Sequence, residues 1–372
     1  MQVINVTDNR YLVLMILLLA MIPGAVMADE ATMEEIGSKA TALAMDQLAF
    51  AKGDENVLAM TDASCAMYGK QTTERCLNGI TAQSGCTIGD GNLLIPQRSK
   101  FSQLWFFFYK KDTGDAVFLQ VRPEVVSKSS SEIRNLASDQ VFEIIAKERV
   151  DTEYLLANQN VWTESRKNKI FAGNEFSLIT IANMWADPDT PYDFLRAASF
   201  HNHLCPGVTS GYLLSHYVEE RLPIETPAQS YKVIACPVWC KDDLFPVIWD
   251  ATPGKKGIFV KDLSAAEKAG LRESLGTDVA GIYVRWDSET DRGDGMVLGY
   301  NWTQSNVLTG TANWEGDPVL SKLVMDLKLI DYTDRPEEVV STIKTFTCES
   351  SAEFAALTQA GVNPLKVLGV EA

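Results

Sequence analysis

The sequence predicts an α+β protein made of two tandem copies of one helix, strand, helix, three-strand unit, with helical extensions. Three observations carry that reading. A helical apolar period gives way to short strand-like runs in the same order twice. The run Val57-Leu-Ala-Met60 is answered by Val233-Ile-Ala-Cys236, and Asp90-Gly-Asn-Leu-Leu-Ile95 by Lys255-Lys-Gly-Ile-Phe-Val260. Self-similarity in a fixed order is the mark of internal duplication, and 372 residues are enough for two or three domains.

In the first copy, Ile36, Ala40, Leu43, Ala44, Leu48 and Ala51 recur at three- and four-residue steps, so residues 29–56 read as a helix. Val57–Met60 reads as a strand, residues 71–82 as a second helix, and Gly85–Asn92 as a glycine-punctuated turn. Three strands follow at Leu93–Ile95, Leu104–Tyr109 and Val117–Val121, the last two joined by the hairpin sequence KKDTGD. The second copy begins with a helix from Pro206 to Arg221, carrying Gly207 and Gly211 near its start and stopped by Pro223. A strand at Tyr231–Ala235 and a helix over Lys241–Trp249, interrupted by Pro246, come next. Strands at Gly257–Lys261, Ile282–Arg285 and Met296–Tyr300 complete it, the last two joined by the polar loop 287–295. The Ser-rich stretch 127–132 marks the seam. Residues 131–160 and 315–360 read as helical extensions.

The N-terminus reads as a secretory leader. One Arg precedes an apolar run from Tyr11 to Ile22, Pro23-Gly24 break its helix, and small residues before Asp29 set a cleavage site after Ala28. A retained membrane anchor is the alternative, although the run is short for a span of about 20 residues. The organisation is therefore leader 1–28, first unit 29–125, helical linker region 126–194, second unit 195–305 and helical C-terminal extension 306–372. The mature chain would act outside the cytoplasm, secreted or at the cell surface. Acidic residues outnumber basic ones 49 to 33, for a net charge of −16. Nucleic-acid affinity comes from neutralising phosphates, so this balance excludes DNA or RNA as a partner class. In an oxidising compartment seven cysteines invite disulfides, but an odd number leaves at least one thiol free, ligated or paired between chains.

The chemistry concentrates in Phe200-His-Asn-His-Leu-Cys-Pro-Gly207, which holds two of only three histidines. His and Cys are preferred ligands of zinc and other transition metals. A spacing of two in an extended segment would put His201, His203 and Cys205 on one side. The start of the following helix would favour the Cys205 thiolate, and Pro206 suits its first turn. His216 lies far into that helix and reads as a core or surface residue. Cys236-Pro-Val-Trp-Cys240 follows the next strand, and its spacing suits a shared metal or a local disulfide, with Cys240 the favoured ligand. Asp242 and Asp243 beside it could supply an oxygen ligand or a general base. In the first copy Met33-Glu-Glu-Ile-Gly-Ser-Lys39 stands where the histidine motif would be. Cys65, Cys76 and Cys86 there are candidates for disulfides or for a second or shared metal site.

These motifs resemble the formylmethanofuran dehydrogenase E-subunit family. HNHLCPG (201–207) matches its first signature, and GCTIGDGNL (85–93) its last. The resemblance implies mixed sheets and metal-site positions at His201, His203 and Cys205, with Cys240 or Cys236 for the second cysteine. It further implies Cys86 in the Gly-Cys-Thr position of the first copy, and Cys65 or Cys76 for the other. Ala251 stands near the matching cysteine position of the second copy. The family pairs its domains, so the resemblance implies an intrachain pseudo-dimer of the two copies. One surviving site in the second copy, borrowing Cys76 or Cys86 from the first, is the sharpest expectation. The family's dehydrogenase activity does not follow, because this chain has no cysteine series for iron–sulfur clusters. The leading reading is an extracytoplasmic protein binding zinc or another transition metal, catalytic if a coordination position stays open, or serving a membrane-associated transporter or a respiratory or methanogenic complex. The alternatives are a thiol–disulfide protein using Cys236/Cys240 or Cys65/Cys76, and a ligand-binding module with Trp185, Trp239, Trp249 and Trp286 lining a cleft between the copies.

Overall fold

The computed structural model describes residues 22–371. The apolar run from Tyr11, on which the leader and anchor readings rest, lies outside the described residues. The chain divides into two compact units. The first runs to Arg149 and takes in Ile170–Gly173, and the second comprises Val150–Lys169 and Asn174–Ala372. Among the described residues no helix is long and apolar enough to cross a membrane.

The first unit contains α1 (Ile22–Leu48), β1 (Val57–Thr61), α2 (Cys76–Ser84), β2 (Leu93–Leu94), β3 (Trp105–Lys110), β4 (Asp115–Val121) and β5 (Phe142–Arg149). The break expected at Pro23-Gly24 belongs to the helix of that apolar run, which lies outside the described residues; α1 itself is described from Ile22. The helix buries Met33, Ile36, Ala40, Ala44 and Leu48, and stops eight residues earlier than its periodicity suggested because Ala49 is left-handed, with φ 51°. The helix expected from Gln71 begins only at Cys76, since Met67–Tyr68 and Gln71–Thr72 pair as a small hairpin. The sheet order is β2-β1-β3-β4-β5, with β1 and β2 parallel and the rest antiparallel. Alternation along β3 sends Phe106 and Phe108 to the core shared with α1. On the opposite face, Phe107 meets Phe171, whose ring also packs on Phe118, each at 5.5 Å.

The second unit contains α3 (Glu175–Ala186), α4 (Tyr192–His201), α5 (Pro206–Arg221), β6 (Gln229–Ala235), β7 (Ile258–Val260), α6 (Ala265–Leu275), β8 (Asp278–Asp287), β9 (Arg292–Tyr300), α7 (Trp302–Thr309), α8 (Pro318–Ile330) and β10 (Val340–Cys348). Its sheet order is β10-β9-β8-β6-β7, again parallel only between the first two strands in sequence, β6 and β7. Strand for strand this repeats the first sheet, so the duplication is a property of the topology and both sheets are mixed.

Both extensions differ from the purely helical reading. Each supplies an edge strand, β5 or β10, to its sheet. The period is two in both: Val340-Ser-Thr-Ile-Lys-Thr-Phe-Thr-Cys348 is β-branched and alternating, and Phe142–Arg149 alternates in burial. The hairpin loop expected over 287–295 is also shorter, because β9 begins at Arg292. Gly293 and Gly295 are strand residues whose Cβ space is taken by the Trp286 ring and the Phe346 ring from neighbouring strands.

Candidate metal centre

Three elements of the second unit converge on the site. The helix α4 ends at His201, and Asn202 follows in the left-handed region, with φ 75°. Ser177 on α3 holds that turn by donating to the Asn202 carbonyl and to its Oδ1, the latter at 2.7 Å. The segment is therefore not the extended strip expected from the two-residue spacing. The turn instead brings His201 and Cys205 together one helical step apart, Nε2 to Sγ at 3.9 Å. Cys205 is the extended residue before α5, and Pro206 occupies its first turn as expected.

Cys240 arrives from the loop after β6, at the head of a short 3-10 turn, Cys240–Asp243. A Cβ on Gly207 would lie 2.7 Å from Cys240 Cβ and 3.3 Å from its Sγ, so only glycine permits this approach. The turn is fixed from beneath by a buried pair. Lys241 Nζ meets Asp242 Oδ2 at 2.5 Å and the Pro237 carbonyl at 3.2 Å, while the same carboxylate accepts the Trp239 N–H at 2.9 Å. Asp242 is thus engaged in holding the turn and lies outside the converging His and Cys atoms.

The ligand atoms of His201, Cys205 and Cys240 all lie within 4.8 Å of one another, the one such convergence of His, Cys and carboxylate groups among the described residues. Asp243 orients the imidazole. Its Oδ2 accepts from His201 Nδ1 at 2.7 Å, which leaves Nε2 turned toward the thiols. Burial alone lowers the His201 pKa, but hydrogen bonds to Asp243 and Cys240 outweigh it and raise it to about 9. Cys240 accepts hydrogen bonds from Cys205 and His201 and is pulled well below the ordinary thiol range, while its partner Cys205 is pushed up. Behind Cys205, Thr209 donates to the buried Asp326 of α8 at 2.7 Å, and burial raises that carboxyl well above its usual range.

The remaining sequence candidates sit elsewhere. The His203 ring lies on His201 at 4.4 Å and on Phe176 at 5.1 Å, outside the three converging atoms. Cys236 is buried in the core of the second unit with Ile234 and Leu271. Its thiol is raised to about 11 by burial. The His216 ring packs tilted against Tyr212, at 4.6 Å between ring centres. In the first unit Cys76 and Cys86 are core residues, Cys65 is half-buried, and all seven cysteines of the chain are free thiols. Sequence reasoning missed the role of Gly207 and the orienting role of Asp243. The proline-glycine step and the acidic pair after Cys240 were the signals available.

Comparison with known families agrees with this architecture. The model of the FmdE family (FmdE, Molybdenum formylmethanofuran dehydrogenase operon) matches residues 34–168 and again 200–315. The chain belongs to the FmdE family. The first stretch covers all five strands of the first sheet and the second covers four of the five strands of the second, β10 lying beyond it, so each copy of the duplication is matched separately. Among curated proteins none matches the chain. The second FmdE unit carries the converging His and Cys groups, and the first places a different set at the same crossing. There Met33 Sδ lies 3.9 Å from Cys76 Sγ.

Proposed function

We propose that this protein is a zinc-class metalloprotein whose site is built by His201, Cys205 and Cys240 of the second unit. The observation that carries the reading is the convergence of one imidazole nitrogen and two thiol sulfurs, with Asp243 already orienting the imidazole. A His, Cys, Cys set suits a borderline-soft ion such as Zn²⁺, which prefers four ligands and keeps an open position when the protein supplies three. When bound, such an ion supplies Lewis acidity or a fixed cross-link between α4, α5 and the loop after β6. The chain's own residues do the rest. Asp243 holds the His201 ring, Gly207 admits Cys240, and the Lys241–Asp242 pair fixes the turn. We place His203 outside the ligand set and read the N-terminal apolar run as a leader, supported by its sequence pattern, so that the site works outside the cytoplasm.

Elemental analysis of the purified protein tests the site. We expect one metal per chain in the wild type and in His203→Ala, and none in a Cys205→Ser/Cys240→Ser double variant. Stoichiometric metal in that double variant overturns the assignment, and loss of metal from a folded His203→Ala puts His203 among the ligands.

A further inference from the structure

The second unit holds a cavity of about 190 Å³ between the loop after β6, the helix α6 and the start of α7. Its aromatic walls are Trp239 and Trp302, and Leu271 adds apolar surface. Neither indole is loose. Trp239 Nε1 donates to Ser210 Oγ at 3.2 Å, with Lys241 Nζ 4.1 Å from its ring centre. Trp302 packs on Tyr300 at 4.5 Å between ring centres. Engineered cavities of about 150 Å³ hold a benzene ring, so the space fits one ring with a short substituent.

The polar part of the lining is lopsided. Lys268 and Arg272 come from one face of α6, four residues apart, against a single carboxylate, Asp278. Asp278 Oδ1 takes two donors from Arg272, Nε at 2.6 Å and Nη2 at 2.5 Å. A guanidinium carries five N–H donors, so three remain for an incoming acceptor. Lys268 gives one contact to Asp262 at 3.0 Å and retains two donors. Rigid indoles with spare cationic donors beside them make a site for a flat ring bearing one negative charge.

We propose that this cavity binds a small aromatic monocarboxylate of the size of benzoate or phenylacetate, its ring against Trp239 and Trp302 and its carboxylate at Lys268 and Arg272. The site does not depend on the metal reading, although Trp239 adjoins Cys240 and lies over Gly207. The test is tryptophan fluorescence of the full chain, titrated with benzoate and phenylacetate and with benzyl alcohol and benzylamine. Each titration is run with and without added zinc and repeated in the Cys205→Ser/Cys240→Ser variant. Saturable quenching by the carboxylates is expected in all three settings, with the neutral and cationic analogues at least about tenfold weaker. Trp302→Leu should abolish it. Lys268→Gln/Arg272→Gln should weaken it by a similar factor without changing the melting temperature. If that variant fails to fold, the carboxylate-to-alcohol ratio in the wild type decides. Equal binding of benzyl alcohol, or quenching that survives Trp302→Leu, overturns the proposal. Phenylalanine binding more tightly than phenylacetate overturns it too, because the site would then take a zwitterion.

Discussion

Gly207→Ala is the most direct test of how the metal centre is assembled. The added methyl would stand 2.7 Å from Cys240 Cβ and 3.3 Å from its sulfur, where ordinary contacts lie at 3.4–4 Å. Either α5 or the Cys240 turn must therefore retreat by somewhat less than 1 Å. Overpacking of this kind costs about 1–3 kcal/mol. Alanine's better helix propensity returns about 0.5–1 kcal/mol, so a net loss of about 1–2 kcal/mol is expected. Metal sites tolerate ligand displacements of only about 0.2 Å. The affinity loss should thus exceed the stability loss, at least about tenfold in Kd, or about 1.4 kcal/mol. The assay is competition of the protein with a chromogenic chelator for Zn²⁺, alongside thermal unfolding of the metal-free protein. Gly254→Ala is the control, because nothing lies within 4 Å of the new methyl. Zinc affinity of Gly207→Ala within twofold of wild type would refute the claim that this close approach sets the site.

Asp243→Asn should keep the hydrogen bond to His201 while removing its charge, and should weaken zinc binding by about 10–100-fold without changing the fold, read by the same competition. Lys241→Met strands Asp242 in the interior and should cost about 3–5 kcal/mol in denaturant unfolding, whereas replacing both residues by apolar ones should cost far less. In the first unit, burial raises Asp62 to about 7, against the pull of the Trp105 N–H and of Arg98. A folded pKa above the unfolded one means the contribution of Asp62 to stability is full below about pH 4 and is lost as pH rises through 7. Asp62→Asn retains the acceptor for Trp105 and should remove that decline, on the order of a few kcal/mol, in unfolding curves compared at pH 5 and pH 8.

The sequence carried the fold where one period ruled a segment. The spacing of Ile36, Ala40, Ala44 and Leu48 gave α1, and the two short parallel strands β2 and β7 stood out beside glycine-rich turns. The edge strands β5 and β10 were lost among helix signals such as Ser129-Ser-Ser-Glu132, which does cap a helix, Ser130–Asn135, but only a six-residue one. Of the site, the ligand types and Cys240 were legible, and its geometry was not. Alternation in HNHLC assumes an extended chain, and the left-handed Asn202, pinned by Ser177 twenty-five positions earlier, replaces it with a tight turn. No local pattern encodes that contact. The same holds for Trp302, which reaches the cavity beside Trp239 from the start of α7, whereas Trp249 and Trp286 turn out to pack against Phe245 and Phe354.

The two copies separate what the fold needs from what the metal needs. In the second, Gly211 lets α5 press against the Lys241 backbone, and in the first, Gly37 lets α1 press against the Cys76 backbone, so the same close crossing occurs in both. Four residues before each glycine the copies part. Gly207 leaves Cys240 open to His201 and Cys205, while Met33 lays its thioether on the Cys76 sulfur and the thiol is wholly buried. Burial raises the Cys76 pKa far from the thiolate that a metal requires. By the same crossing Cys76 answers Lys241 and Arg75 answers Cys240, so the first unit places no thiol at that ligand position. The helix crossing is therefore a packing requirement of every unit, and the metal centre is a local substitution upon it: a glycine where the other copy has a methionine, with the histidine turn delivered to the same place.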